Sequence, residues 1–261
     1  MIHLKSQAEI EKMVEGGNIL SKVMTATLGK IKPGVTLTEL DTFAQNKIIN
    51  AGAQPSFQKV PGYRWTLCTC VNDVVVHGIP TDYRVKEGDV VGIDCGVFYK
   101  GFHTDASWTI LVGGNAVKNW AVKEKFLHVG ETALNRAISQ VKRGNFIWDI
   151  SKTIQTTVEE GGYSVVKSLI GHGIGRQLHE EPEIPGFVKS ERERTPMLIE
   201  GMVLAIEVIY NMGLHSVVYK GDDGWTIATK DGTISGLFEA TVALTSHGCL
   251  VLTKINGLLK N

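Results

Sequence analysis

One stretch constrains this chain more than any other: residues 88–105, GDVVGIDCGVFYKGFHTD, which set two aspartates into an apolar hairpin pattern. Two strands, Val90 to Phe98 and Phe102 to Ile110, are predicted on either side of a turn at Tyr99-Lys100-Gly101. With the turn centred between Tyr99 and Lys100, Asp94 stands directly opposite Asp105. With it centred on Lys100-Gly101 the two become diagonal neighbours that still share a face, because strand side chains alternate with period two. Directly opposite residues have Cβ atoms about 4.5–5.5 Å apart. Carboxylates that close repel, so one takes a proton or a cation sits between them. A divalent metal pair is the sharper reading; an exposed acidic hairpin is the plainer one.

The rest of the chain supplies helices before strands, twice. Ser6 with Glu9 forms a capping-box pattern ahead of a helix that Pro33-Gly34 is expected to stop. Thr36 with Glu39 caps a second helix, with Gly52 as its C-terminal stop. A loop over 53–66 leads to a strand at Leu67 to Val71 and to VNDVVVHGIP. After the hairpin, a helix is expected from about Val117 to Val141, another from Phe146 to Glu160, and a short strand from Tyr163 to Ser168. A Gly- and Pro-rich segment, GHGIGRQLHEEPEIPGF, then precedes strands in MVLAIEVIYNMG, HSVVYKG, WTIATK, LFEATVALTSHG and CLVLT. This order hints at duplicated halves and predicts an α+β fold, with residues 1–261 as one domain.

Charge narrows the function. The 27 basic residues balance the 27 acidic ones, so no global field draws the chain to nucleic acid or an anionic membrane. MIHLKSQAEIEKM has no signal-peptide h-region, and no apolar run is long enough to span a bilayer. Cys68, Cys70, Cys95 and Cys249 lack zinc-ribbon or CxxC spacing and read as reduced, partly buried thiols of a cytosolic protein.

Beyond the hairpin, His77 sits where a strand ends, and His172 and His179 bracket GHGIGRQLHEEP. Their spacing of seven is not that of a helical HExxH zinc site, and the glycines around His172 fit backbone packed close to a metal or substrate. His3, His128, His215 and His247 lack any such framing. Glu207 lies inside the apolar run Val203 to Ile209, where an unpaired carboxylate costs several kcal/mol, so a cation or hydrogen-bond partner is expected. Glu239 is similar, unless its strand is an edge that exposes it; an ion pair or a solvated face is the plain alternative for both glutamates. Oxygen and nitrogen donors gathered from separate strands suit two divalent ions, with Mn, Fe, Co and Zn all compatible.

Taken together, VNDVVVHGIP, GDVVGIDCGVFYKGFHTDAS, GHGIGRQLHEEP, GMVLAIEVIYNMG and GLFEATVALT resemble, in order and spacing, the type I methionine aminopeptidases, M24-type metallopeptidases of the pita-bread fold. The resemblance covers nearly the whole chain and implies a pseudo-twofold antiparallel sheet covered by helices. It implies Asp94, Asp105, His172, Glu207 and Glu239 as ligands of two metals, Asp105 and Glu239 bridging. His77 and His179 then contact substrate, and Tyr63, Cys68 and Trp225 build a methionine pocket. The implied reaction is removal of the initiator methionine by metal-activated water, with Glu207 moving the proton, His179 steadying the oxyanion and His77 placing the scissile amide. The implied partners are the N-terminus of a nascent peptide and the ribosome, with neither membrane nor DNA, for a cytoplasmic monomer.

Four positions depart from the family's common pattern: Gly96, Leu178, Val208 and Ala240. None is an implied ligand, and the expectation they raise is a changed surrounding and a selectivity broader than methionine alone. Three rival readings remain. A proline-directed peptidase of the same fold usually carries a large N-terminal domain, whereas here the first helix starts near residue 6. A type II enzyme carries an insertion between the two glutamates, which here are close in sequence. A non-catalytic peptide- or ribosome-binding relative is expected to have lost the ligands, all of which are present.

Overall fold

The computed structural model describes residues 1–114 and 117–255. Among the described residues, four helices come in two pairs, α1 (Gln7–Leu28) with α2 (Leu37–Asn50) and α3 (Trp120–Ile138) with α4 (Ile147–Glu160), each pair followed by strands. Before α3 come β1 (Gln54–Pro55), β2 (Leu67–Val71), β3 (Val74–Val76), β4 (Val90–Tyr99) and β5 (Phe102–Leu111). After α4 come β6 (Ser164–Val165), β7 (Ile170–Gly173), β8 (Glu180–Pro185), β9 (Val203–Asn211), β10 (Val217–Tyr219), β11 (Ile227–Thr229), β12 (Ser235–Thr245) and β13 (Gly248–Val251). Ten strands form one sheet whose main path runs β1-β4-β5-β12-β9-β7-β8, and β10, β11 and β3 form a second. All recorded pairings are antiparallel.

The helix starts follow from their caps. Glu9 reaches back to accept from the Ser6 N–H at 2.8 Å and the Ser6 hydroxyl at 2.9 Å. Thr36 and Glu39 bond reciprocally, Glu39 N–H to Thr36 Oγ1 at 3.1 Å and Thr36 N–H to Glu39 Oε2 at 2.7 Å. Each satisfies amides that a helix leaves without partners. α1 ends at Leu28, before the expected Pro33-Gly34 stop, whereas Gly52 after α2 takes φ +74°. The third helix is shorter than its apolar pattern suggested, the fourth closely matches it, and the strand expected over 163–168 reduces to Ser164–Val165. The loop over 53–66 contains β1 and a single 3-10 turn, Phe57–Lys59. The glycine-rich segment is not a loop throughout: it carries most of β7 and all of β8.

Strand alternation divides the main sheet into two faces. Val91, Ile93, Cys95 and Val97 of β4, Ala106 and Trp108 of β5, Leu204, Ile206 and Val208 of β9, and Phe238, Ala240 and Val242 of β12 share one core with residues of all four helices. α1 packs on β4 and β5, and α3 on β9 and β12, so each helix pair serves one half of the sheet. Burying a Leu or Met side chain at such a contact contributes about 1.5–3 kcal/mol. The close fit of α3 is secured at Gly130, where a Cβ would come within 2.5 Å of Phe238 and of the Tyr210 hydroxyl. The opposite face is left to the alternate residues, among them Asp94, Asp105, Glu207 and Glu239.

Candidate active site

The hairpin takes the second of its two registers. Lys100 (φ 48°) and Gly101 (φ 89°) form a two-residue turn with both centres left-handed, which suits the twist of the flanking strands. Asp94 therefore pairs with Ser107, and Asp105 with Gly96. The two aspartates are diagonal rather than directly opposite, on the face away from the helices. Across the sheet, Glu207 and Glu239 are direct partners in the β9–β12 ladder. β12 lies in the middle of the sheet and Glu239 is 3% exposed, which overturns the edge-strand option.

Between β5 and β12 the ladder opens. The two pair directly only at Glu239–Ser107 and Ala240–Ala106. On either side a threonine hydroxyl replaces a backbone partner. Thr241 Oγ1 accepts from the Asp105 N–H at 2.9 Å and donates to the Asp105 carbonyl at 2.8 Å. Thr109 Oγ1 does the same for Leu237, at 3.0 and 2.7 Å. These hydroxyls satisfy the backbone while fixing the direction in which Asp105 and Glu239 project.

His172 on β7 completes the group. Its Nδ1 donates to the Gly173 carbonyl at 2.8 Å, which leaves Nε2 as the lone-pair nitrogen, 3.5 Å from Glu207 Oε1. Donor atoms of Asp105, His172 and Glu239 all lie within 4.8 Å of one another. The flanking glycines serve strand packing: a Cβ at Gly171 would come within 2.5 Å of the Ala205 carbonyl, and one at Gly173 within 2.2 Å of Glu181 O.

The charges in this group are not balanced by protein. Burial, and then the neighbouring carboxylates, push Asp94, Asp105 and Glu239 well above the ordinary carboxylate range and raise Glu207 to about 8. Among the described residues, no lysine or arginine lines the cavity they face. Asp94 Oδ1 and Glu239 Oε1 are buried with no hydrogen-bond partner among the described residues. Burial, and then His179, depress His172 to about 4, which keeps its nitrogen free to ligate. Orphaned carboxylate oxygens beside a neutral imidazole are the donor set of a divalent cation, so the residues fit such an ion.

Beside the carboxylates lies a cavity of about 130 Å³, lined chiefly by apolar side chains. Tyr63, Cys68 and Trp225 are all in its wall, with His77 and His179 at the same cavity. Tyr63 packs edge-on against Trp225 at 5.1 Å, and its hydroxyl donates to the Leu67 carbonyl at 2.7 Å. His77 holds a left-handed φ of 55°, a conformation costing about 1–2 kcal/mol in a residue with a Cβ. His179 stands edge-on to His172, with ring centroids 4.5 Å apart. Packing against the cleft lowers both His77 and His179 below the ordinary imidazole value.

The four departures from the common pattern separate here. Leu178 lines the cavity. Val208 and Ala240 do not; both are wholly buried on the helix-covered face, where they pack the core. Gly96 shares the Asp94 face but has no room to spare, since a Cβ there would come within 2.5 Å of Ser56 Cβ and 3.0 Å of Phe57. Phe57, Val60, Val76 and Leu237 also line the cavity and were not singled out from sequence. Nor was His103, whose Nδ1 lies 2.5 Å from the Ser56 hydroxyl, holding the loop that carries Phe57. Its place two residues before Asp105, on the same strand face, was the available signal.

Comparison with known proteins agrees with this geometry. Residues 11–246 match the model of metallopeptidase family M24. The chain is 44% identical to a methionine aminopeptidase of Clostridium perfringens over 98% of its own length and all of the relative's. It is 38% identical to methionine aminopeptidase 1 of Bacillus subtilis over 98% of its length and all of that protein's. The crystal structure of a methionine aminopeptidase from Thermotoga maritima superposes with a TM-score of 0.91 at 37% identity, covering 97% of this chain and all of that one. A prolidase from Pyrococcus furiosus matches at 25% identity and a TM-score of 0.74, but this chain spans only 65% of it.

Proposed function

This chain belongs to metallopeptidase family M24, and we propose that it is a metal-dependent aminopeptidase that removes the N-terminal methionine from polypeptides. One observation carries the reading. Buried carboxylates with orphaned oxygens and one neutral imidazole converge in the wall of a small, chiefly apolar cavity. Residues 1–261 serve as one catalytic domain, and the partner this calls for is the free N-terminus of a newly made chain.

Asp94, Asp105, His172, Glu207 and Glu239 would hold the two divalent ions. When bound, such ions polarise a peptide carbonyl and acidify water towards a pKa of about 7. The remaining work falls to the chain. The cavity walled by Tyr63, Cys68, Leu178 and Trp225 takes the flexible thioether and excludes water from it. A pocket closed behind the first side chain restricts cleavage to the first peptide bond.

As the water oxygen adds to the carbonyl carbon, Glu207 accepts its proton on a carboxylate oxygen. Glu207 returns it to the leaving nitrogen as the C–N bond breaks. With their pKa values lowered, His77 and His179 are neutral at pH 7, so each presents one N–H and one lone pair. His179 donates to the oxygen on which charge develops, and His77 holds the scissile amide.

The test is release of methionine from Met-Ala-Ser by protein stripped with chelator and then reloaded with Co or Mn. Release that requires metal, and that fails for Ala-Pro peptides, is the expected result. No release with any metal would replace this reading with a peptide-binding role, and preferential cleavage of Ala-Pro substrates would replace it with a proline-directed one.

A further inference from the structure

The amino-terminal segment reaches the catalytic wall without lining it. Lys5 has a side chain only 4% exposed, and its ammonium donates at 2.5 Å to Glu180 Oε2, itself on a side chain 4% exposed. The same ammonium donates to the His3 carbonyl at 2.9 Å, and the Lys5 N–H donates to the Gly201 carbonyl at 2.8 Å. Glu180 directly follows His179. Its second oxygen accepts from the Gln177 N–H at 3.0 Å, closing the turn between β7 and β8 that carries Leu178 and His179. The Lys5 stem packs over that turn so tightly that a Cβ at Gly175 would come within 2.3 Å of Lys5 Cε.

Net stability is a poor reason for such an arrangement, because the desolvation of two buried charges offsets much of their attraction. What the pair supplies is position. The turn it grips contains Gly175, which leaves the backbone compliant, yet the side chains of Leu178 and His179 face the cavity. A second tie, Arg176 to Glu9 at 2.7 Å, joins the same turn to α1, but Arg176 is mostly exposed and such pairs are worth little.

We propose that Lys5 is a positioning residue for the reaction: through Glu180 it fixes the turn that sets the His179 imidazole and the Leu178 wall against the substrate. The inference rests on the reaction assigned above, and its test separates the two.

Lys5→Met, Lys5→Arg and Glu180→Gln are compared with wild type, with Arg176→Ala as the control on the exposed tie. For Lys5→Met, kcat on Met-Ala-Ser is expected to fall roughly tenfold to a hundredfold, the scale on which a small misplacement acts. KM should move by less than about threefold, because the lost interaction is felt in the transition state. Amide exchange at Gly175 and Gln177 is expected to quicken by about tenfold or more with the sheet core unchanged. Glu180→Gln, which keeps an acceptor for Gln177, should show a smaller version of both effects and serves if Lys5→Met does not fold. Lys5→Arg should recover most of the rate, and Arg176→Ala should match wild type. Unchanged exchange in the turn, or a wild-type kcat in Lys5→Met, overturns the proposal. Should wild type itself release no methionine, the reaction reading fails, and the exchange result alone decides whether Lys5 holds the turn.

Discussion

The two halves of the sheet each bring two carboxylates to the same uncovered face, and they do so in opposite ways. In the first half β4 and β5 are consecutive, and a two-residue turn sets their register, so Asp94 and Asp105 end up diagonal. In the second half Glu207 and Glu239 sit directly opposite each other on β9 and β12, strands that do not follow one another in the chain. Directly opposed like charges destabilise a ladder more than diagonal ones do. Beyond burial, the repulsion also crosses between the halves: Asp105 pushes up both Glu207 and Glu239, and Glu207 pushes up Asp94. A sheet built this way is organised for a bound cation rather than for its own stability.

Asp105 is the hinge of that comparison, since its backbone is tied to β12 through Thr241. Asp105→Asn is expected to abolish uptake of the full metal complement and to lower kcat/KM by about three orders of magnitude or more, with the far-UV spectrum unchanged. Metal content by mass spectrometry and methionine release read both. Full turnover by this variant would show that Asp105 is not a required ligand. Glu207→Gln probes the second half. There the rate should fall roughly a hundredfold to a thousandfold while KM stays within a few-fold, because the lost group acts on a proton rather than on binding. An equal loss of affinity would remove the distinction between the two glutamates.

The same contrast explains what could be read from sequence. The diagonal aspartates belong to one hairpin, and both possible turns kept them on one face, so the site's first half was legible from period-two alternation alone. The β9–β12 pairing is not local, and nothing in Val203 to Ile209 says which strand lies beside it; the edge option for Glu239 followed from that gap. The glycine-rich segment hid β7 and β8 because its glycines are there for close strand approach, and glycine otherwise signals a loop. Val208 and Ala240 stand next to the two glutamates in sequence, yet alternation turns them to the helix-covered face. Lys5 and Glu180 gave no signal, since each is an ordinary charged residue until the fold buries them together.

The cavity spans the comparison, with Phe57, Val60, Tyr63 and Cys68 from the first half and Leu178, Trp225 and Leu237 from the second. Of the four departures from the common pattern, Leu178 is the one that lines the cavity. Leu178→Phe should therefore narrow the cavity from the second half's side and raise the preference for methionine over bulkier first residues by about tenfold, the usual worth of a small change in an apolar pocket. Competition between Met-Ala-Ser and Phe-Ala-Ser measures it. An unchanged ratio would place selectivity in the wall of the first half.

The smallest expected effect concerns the repulsion itself, in metal-free protein. The four carboxylates have folded pKa values raised above their usual ones, Glu207 to about 8, so their contribution to stability is complete at low pH and is lost as pH rises through those values. The buried histidines run the other way: His172, depressed to about 4 from 6.5, contributes fully above 6.5 and loses its contribution as pH falls. Between pH 6.5 and 8 the histidines are neutral in both states and the carboxylates alone set the slope. Melting temperature in chelator should therefore fall across that window by a few degrees, about 2–4 °C for each kcal/mol lost in a chain somewhat smaller than this one. Glu239→Gln, which removes a carboxylate that, beyond burial, Asp105, Glu207 and Asp94 all push up, should flatten the fall, and Asp94→Asn, whose carboxylate Glu207 pushes up, should flatten it less. Bound Mn should reverse the slope, because the ion binds the ionised carboxylates and so stabilises more as pH rises. A flat or rising profile in chelator, or equal flattening by the two variants, would mean that the repulsion is not concentrated at Glu239.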